Sequence, residues 1–174
     1  MLIDRAGLPF LAVAVVLAIG TGWWLGRSWS VPFLVLAAFF LFFFRDPDRT
    51  TPNDPGLVVS PADGRVMVAG DPAGPGAPQG EWRQVSIFLS PMDVHVNRTP
   101  VEGHVTHVEY HPGSFLPAYR ADAGQLNEWT EVWFNRGGRV VVCRQIVGIL
   151  ARRIVCRLKA GDDVTRGQRF GVMK

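Results

Sequence analysis

Charge is almost absent from the first quarter of this chain. Only Asp4, Arg5 and Arg27 are charged among residues 1–44, which leaves 30 of the 33 charged residues to the other 130. Ala6–Gly26 provides 21 consecutive uncharged residues and Ser28–Phe44 another 17, closing on the run Phe39-Phe40-Leu41-Phe42-Phe43-Phe44. A membrane-spanning helix takes roughly 17 to 25 apolar residues, so two helices joined by a tight Gly26-Arg27-Ser28 turn are expected. Pro9 and Pro32 fall near the start of each segment, where a missing amide donor does little harm. Trp23, Trp24 and Trp29 cluster at the turn, as in an interfacial aromatic belt. A cleaved signal peptide fits less well, because a second apolar segment follows at once. The short second segment leaves a re-entrant or surface-lying hairpin as the alternative. Arg5 at one end and Arg45 with Arg49 at the other, against Arg27 alone in the turn, place both ends on the cytoplasmic side of a cell membrane.

The remainder is a different material. A hydrophobic share of 48% with 19 Gly and 13 Pro excludes a disordered chain or a coiled coil, and two cysteines, Cys143 and Cys156, exclude a disulfide scaffold. A net charge of +3 argues against nucleic-acid binding. Sixteen of the 18 basic residues are Arg, which suits phosphate or carboxylate recognition but equally follows from a GC-rich genome. Residues 1–44 thus form the membrane hairpin, 45–56 a Pro/Asn/Gly-rich linker, and 57–174 a β-rich domain. Short apolar runs at Val66–Ala69, Gln84–Leu89, Val105–Tyr110, Glu131–Phe134, Arg139–Cys143 and Arg152–Leu158 lie between turn signals and read as strands of a barrel or sandwich. Asp71–Gly80 reads as a surface loop and Phe115–Leu126 as the one helix of this domain. The spacing of turns from Leu158 to Gly171 is similar to the hairpins of lipoyl- and biotinyl-type β-sandwiches.

Two polar constellations interrupt the strands. Ser60-Pro61-Ala62-Asp63-Gly64 places a carboxylate on a turn, and Leu89 to Pro100 contains Asp93, His95, Asn97 and Arg98. A base with an orienting carboxylate requires such residues, although a lone Asp-Gly is more often a turn and a lone His more often structural. His95, His104, His107 and His111 fall within 17 residues, which raises a metal-dependent hydrolase. His104 and His107, three apart on an expected strand, should point to opposite faces and not share an ion, so no metal ligands are assigned.

Arg45-Asp46-Pro47, Ser60-Pro61-Ala62-Asp63-Gly64, Phe88 through Arg98, Tyr110-His111-Pro112-Gly113-Ser114-Phe115, Asn127-Glu128 and Gln145-Ile146-Val147-Gly148 through Val155 occur in one order. Together they closely resemble the short form of phosphatidylserine decarboxylase, from about Arg45 to Lys174, and the two-helix start is similar to that family's anchor. The resemblance implies a proenzyme that cuts itself before a Ser, leaving a large chain and a small α chain headed by a covalent pyruvoyl group, the electron sink for decarboxylating phosphatidylserine to phosphatidylethanolamine. It implies that Asp63 and His95 are catalytic, while the guanidinium fork of Arg98, following Asn97 in the motif, suits a phosphate or carboxylate of the substrate and puts Asn97 and Arg98 down as substrate-binding. Longer members carry a second His where this chain has Arg98, and the family usually reads Asn-Glu-Arg where this chain has Asn127-Glu128-Trp129. The family's Gly-Ser pair is expected a few residues past Lys174, so the pyruvoyl-forming Ser lies outside this sequence. The implied partners are the α chain, the lipid substrate and the membrane; a homo-oligomer is compatible with the sequence. The opposing reading is a non-enzymatic, membrane-tethered β module.

Overall fold

A computed structural model describes residues 2–72, 79–118, 120 and 122–174. Helices α1 (Leu8–Trp24) and α2 (Val31–Phe43) form an N-terminal pair, joined through a short 3-10 turn at Arg27–Ser30. Each carries its Pro in the first turn, where the ring replaces an amide that has no partner anyway. Ala14, Ala18 and Ala37 are buried while Val16, Ile19, Trp23, Trp24 and Val35 face outward. Small side chains let the two helices approach closely, and the large apolar ones are left on the outside, the reverse of a water-soluble helix pair. Arg5–Trp24 is long and apolar enough to cross a bilayer; Arg27–Phe43 is shorter.

The ends of the pair are fastened to each other and to the rest of the protein. Strand β1 (Leu2–Ile3) pairs antiparallel with β2 (Arg45–Asp46), so the expected linker begins with ordered structure. The β region holds a ribbon of β3 (Arg65–Gly70) with β4 (Gln84–Phe88), and two larger antiparallel sheets. One sheet has β5 (Val96–Arg98), β11 (Arg169–Met173) and β9 (Ile154–Cys156) in that order. In the other, β10 (Asp163–Val164), β6 (Gly103–His111), β7 (Trp129–Arg136) and β8 (Arg139–Ile146) are neighbours in turn. The β7–β8 hairpin turns on Gly137 and Gly138, both at positive φ, the backbone pair a two-residue turn needs to follow strand twist.

Two apolar clusters hold this together. Val101, Val105, Val132, Phe134, Cys143, Leu158, Val164 and Phe170 fill the space between the two sheets. Phe43, Phe44, Val94, Val96 and Val172 join the base of the helix pair to the three-stranded sheet. The protein is therefore mainly β behind a helix pair, with its sheets open among the described residues.

Four sequence expectations change. The Leu158–Gly171 segment is no self-paired hairpin, because β10 joins β6 whereas β11 joins β5 and β9. The strand expected over Arg152–Leu158 is confined to Ile154–Cys156. Of the described part of Phe115–Leu126, only α3 (Ala123–Leu126) is helical. The fully buried Asn127 takes over the backbone there, accepting from Leu116 N at 2.7 Å and donating to Leu116 O and Val147 O at 2.9 Å each. Finally, Val105 and Val108 both pack toward the core, because a bulge between Val105 and His107 resets the alternation. His104 and His107 consequently share the exposed side, where His104 pairs with Asp163 and His107 with Glu109. Most of the Asp71–Gly80 loop, residues 73–78, lies outside the described residues.

Candidate active site

Strand β5 is short because its N-terminal neighbours turn. Asp93 accepts from both the amide and the hydroxyl of Ser90, at 2.8 and 2.7 Å, which closes the Ser90-Pro91-Met92-Asp93 turn and holds the Asp93 carboxyl below its ordinary pKa. The chain then runs into the core, so His95 is only 5% exposed. Its ring stacks on Phe43 with centroids 4.1 Å apart. Nδ1 sits 3.0 Å from the Asp93 carbonyl oxygen. A carbonyl only accepts, so Nδ1 carries the proton and Nε2 keeps its lone pair. Burial lowers the pKa of the ring, against the smaller opposite pull of the Asp93 contact. The arrangement is a neutral imidazole with a basic nitrogen in a dry, aromatic wall. Strand β11 passes beside it, with Met173 N donating to His95 O at 3.3 Å.

Asp63 stands apart from this ring. It ends the turn before β3, pairs with Arg49, and lines a surface cleft with Ser60, Val94, Val96 and Arg98. Among the described residues no hydrogen bond joins Asp63 to His95. The contact that fixes the His95 ring in this structure is the Asp93 main-chain carbonyl, which only a folded turn reveals.

Arg98, expected to reach toward substrate, lines that cleft and is held by three acceptors. Its guanidinium donates to Asp46 at 2.8 Å, Pro47 O at 2.9 Å and Gly167 O at 3.1 Å. Asp46, itself buried, also pairs with Arg169, which reaches Asp48 as well. Arg45 donates to Phe42 O and Met92 O. Arg45-Asp46-Pro47 is thus the fastening between the helix pair, the Ser90–Asp93 turn and strands β5 and β11. Asn97 is buried and accepts from Gln145 Nε2 at 2.6 Å, while Gln145 Oε1 is buried against β11 near Gly171 without a donor among the described residues. Sequence reasoning placed Asn97 near the site but missed Asp46, Arg169 and Gln145 as its framework. At the position where the family usually has Arg, Trp129 stacks on His111, and the Arg144 guanidinium lies 4.5 Å above its ring. A cation from the adjacent strand therefore occupies that neighbourhood.

The geometry can be set beside known proteins. Residues 36–174 match the phosphatidylserine decarboxylase family. A phosphatidylserine decarboxylase proenzyme of Nitrosomonas europaea is 41% identical over 174 residues, covering 99% of this chain and 80% of the relative. One from Symbiobacterium thermophilum is 46% identical over 177 residues with the same coverage. One from Chlorobium chlorochromatii is 45% identical over 151 residues, 86% of this chain and 71% of the relative.

Proposed function

Because the chain belongs to the phosphatidylserine decarboxylase family, we propose that it is the large chain of a self-cleaving proenzyme that decarboxylates phosphatidylserine to phosphatidylethanolamine at a membrane surface. The observation that carries this reading is His95, buried, with its proton held on Nδ1 beside the strand that leads to Lys174. About a fifth of each relative's length lies outside the match, and the reading places their Gly-Ser pair on the continuation of β11.

In self-cleavage, His95 Nε2 takes the proton of the serine hydroxyl as its oxygen bonds to the preceding carbonyl carbon. The peptide C–N bond then breaks and the imidazolium returns the proton to the leaving nitrogen; elimination of the resulting ester releases the large chain as a carboxylate and leaves a dehydroalanine, which water converts to the pyruvoyl group and ammonia. Asp63 is assigned as the second catalytic residue, acting from the adjacent cleft; Asn97 supports the site through Gln145, and Arg98 holds its frame. The pyruvoyl group generated from that serine supplies a ketone that draws electrons from the amine-bearing carbon of the substrate. The residues present fit a ketone held at the end of β11. The Phe43–His95 stack gives that end of the strand an apolar, aromatic wall. The helix pair fits a membrane anchor with both ends cytoplasmic, which suits a substrate that stays in the bilayer.

The test is to express the full reading frame and assay membranes for release of carbon dioxide from phosphatidylserine, with the intact mass of any small chain measured alongside. A small chain with a keto-acyl N-terminus and carbon dioxide release are expected. A single uncut chain without turnover would sink the reading.

A further inference from the structure

The β3–β4 ribbon is built like the inside of a protein yet lies on the outside. Val66 pairs with Ile87 and Ala69 with Val85, so all four side chains fall on one face. Val66 is 55% and Val85 63% exposed. Met67, at the bulge, and Val68 are exposed too. The ribbon has two strands only, and among the described residues neither outer edge pairs with another strand. A lone two-stranded ribbon with an apolar face is marginal in water, and an open apolar edge invites a further strand. Its base is nonetheless built to hold: Gly64 has φ +140°, and a Cβ there would lie 2.3 Å from Phe88 O, so only glycine lets the strands meet.

We infer that this ribbon is the docking surface of the small, pyruvoyl-bearing chain, which adds a strand along its edge and covers the Val66–Ala69–Val85–Ile87 face. This rests on the proposed self-cleavage. Two observations choose that occupant. About a fifth of each relative's length lies outside the matched portion, enough for a few short strands at about five to six residues each. The ribbon also begins two residues after Asp63, so a chain docked along it comes to a proposed catalytic carboxylate that lines the cleft beside Val94 and Val96, the neighbours of His95. A bilayer is the weaker occupant, because hydrocarbon has nothing to satisfy the unpaired edge amides and carbonyls, whereas an added strand pairs with them.

The test uses the cleaved holoenzyme in detergent and in phosphatidylserine-containing vesicles, with benzoylphenylalanine in place of Val85. Illumination should join the large chain to the small one. Crosslinking to lipid, to a second large chain, or to nothing while the small chain is present in the preparation would overturn the proposal. If no small chain forms in the unsubstituted protein, the self-cleavage reading fails first and this inference falls with it. Val85→Lys should lower retention of the small chain through purification at least tenfold, and Val140→Lys, an exposed apolar position on β8, should not. Release by Val140→Lys with retention in Val85→Lys would assign the contact to the β8 edge instead.

Discussion

Burial does two separate things to His95: it removes the water that would stabilise an imidazolium, and it presents one fixed carbonyl to Nδ1. An unfolded histidine takes up a proton near pH 6.5, whereas the buried ring does so only at lower pH. Between those two values the unfolded state binds more protons, so the stability that neutral His95 contributes is complete above about pH 6.5 and drains away as pH falls toward the folded value. Thermal unfolding at pH 5.5 and 7.5 should show this acid slope in the native protein and a shallower one in His95→Gln; equal slopes would assign the titration to another group. Maturation of His95→Gln should be blocked at every pH, as uncut precursor on a gel. Arg98 carries the opposite lesson. Its fork satisfies three acceptors at once, and a lysine cannot reproduce that geometry. Arg98→Lys should cost about 1–3 kcal/mol of stability and depress maturation and turnover together, in contrast to a substrate contact, which would raise KM alone. The sequence placed Asp63, His95, Asn97 and Arg98 in two legible motifs. It did not show the Arg98–Asp46 pair, because Asp46 lies 52 residues earlier and meets Arg98 only in the folded chain.

At the scale of elements, the strands with long alternating or β-branched runs were readable, and the ones assembled from distant fragments were not. β7 and β8 announce themselves through their apolar content and the Gly137–Gly138 turn. β5, three residues long, and β10, two, carry too little pattern for periodicity to register. The segment before Asn127 misleads for a physical reason. Its apolar spacing suits a helix, but Pro117 lacks an amide, and the Asn127 side chain satisfies backbone groups that a helix would otherwise claim. Asn127→Ala would strand the Leu116 amide and the Leu116 and Val147 carbonyls in a buried place. The expected loss is about 2–5 kcal/mol, with faster hydrogen exchange at Leu116, read by denaturant unfolding of the detergent-solubilised protein. A change within about 0.5 kcal/mol would mean that the loop is held by other contacts.

For the whole molecule, the question is whether the helix pair is only an anchor. Carbonate extraction at high pH should leave the protein in the membrane pellet, since the outward apolar side chains of the proposed anchor suit hydrocarbon; release would mean that it lies on the surface. Its base, however, is also part of the β region. Asp4, buried, receives two hydrogen bonds from Arg157 at 2.6 and 2.8 Å. Phe43 and Phe44 pack on Val94, Val96 and Val172, and Phe43 forms the wall on which His95 stacks. Composition could not show these contacts across residue 44, because a run of phenylalanines looks the same whether its end faces lipid or protein. Each buried Phe is worth about 1.5–3 kcal/mol, and losing the pair also lets water reach His95. Removing residues 1–44 should therefore prevent maturation even in detergent. Phe43→Ala in the full chain should remain in the carbonate pellet yet mature more slowly, which separates anchoring from site assembly. If the truncated protein matures normally and decarboxylates detergent-dispersed phosphatidylserine at the full rate, the helix pair is an anchor alone and the Phe43–His95 stack contributes nothing to the chemistry.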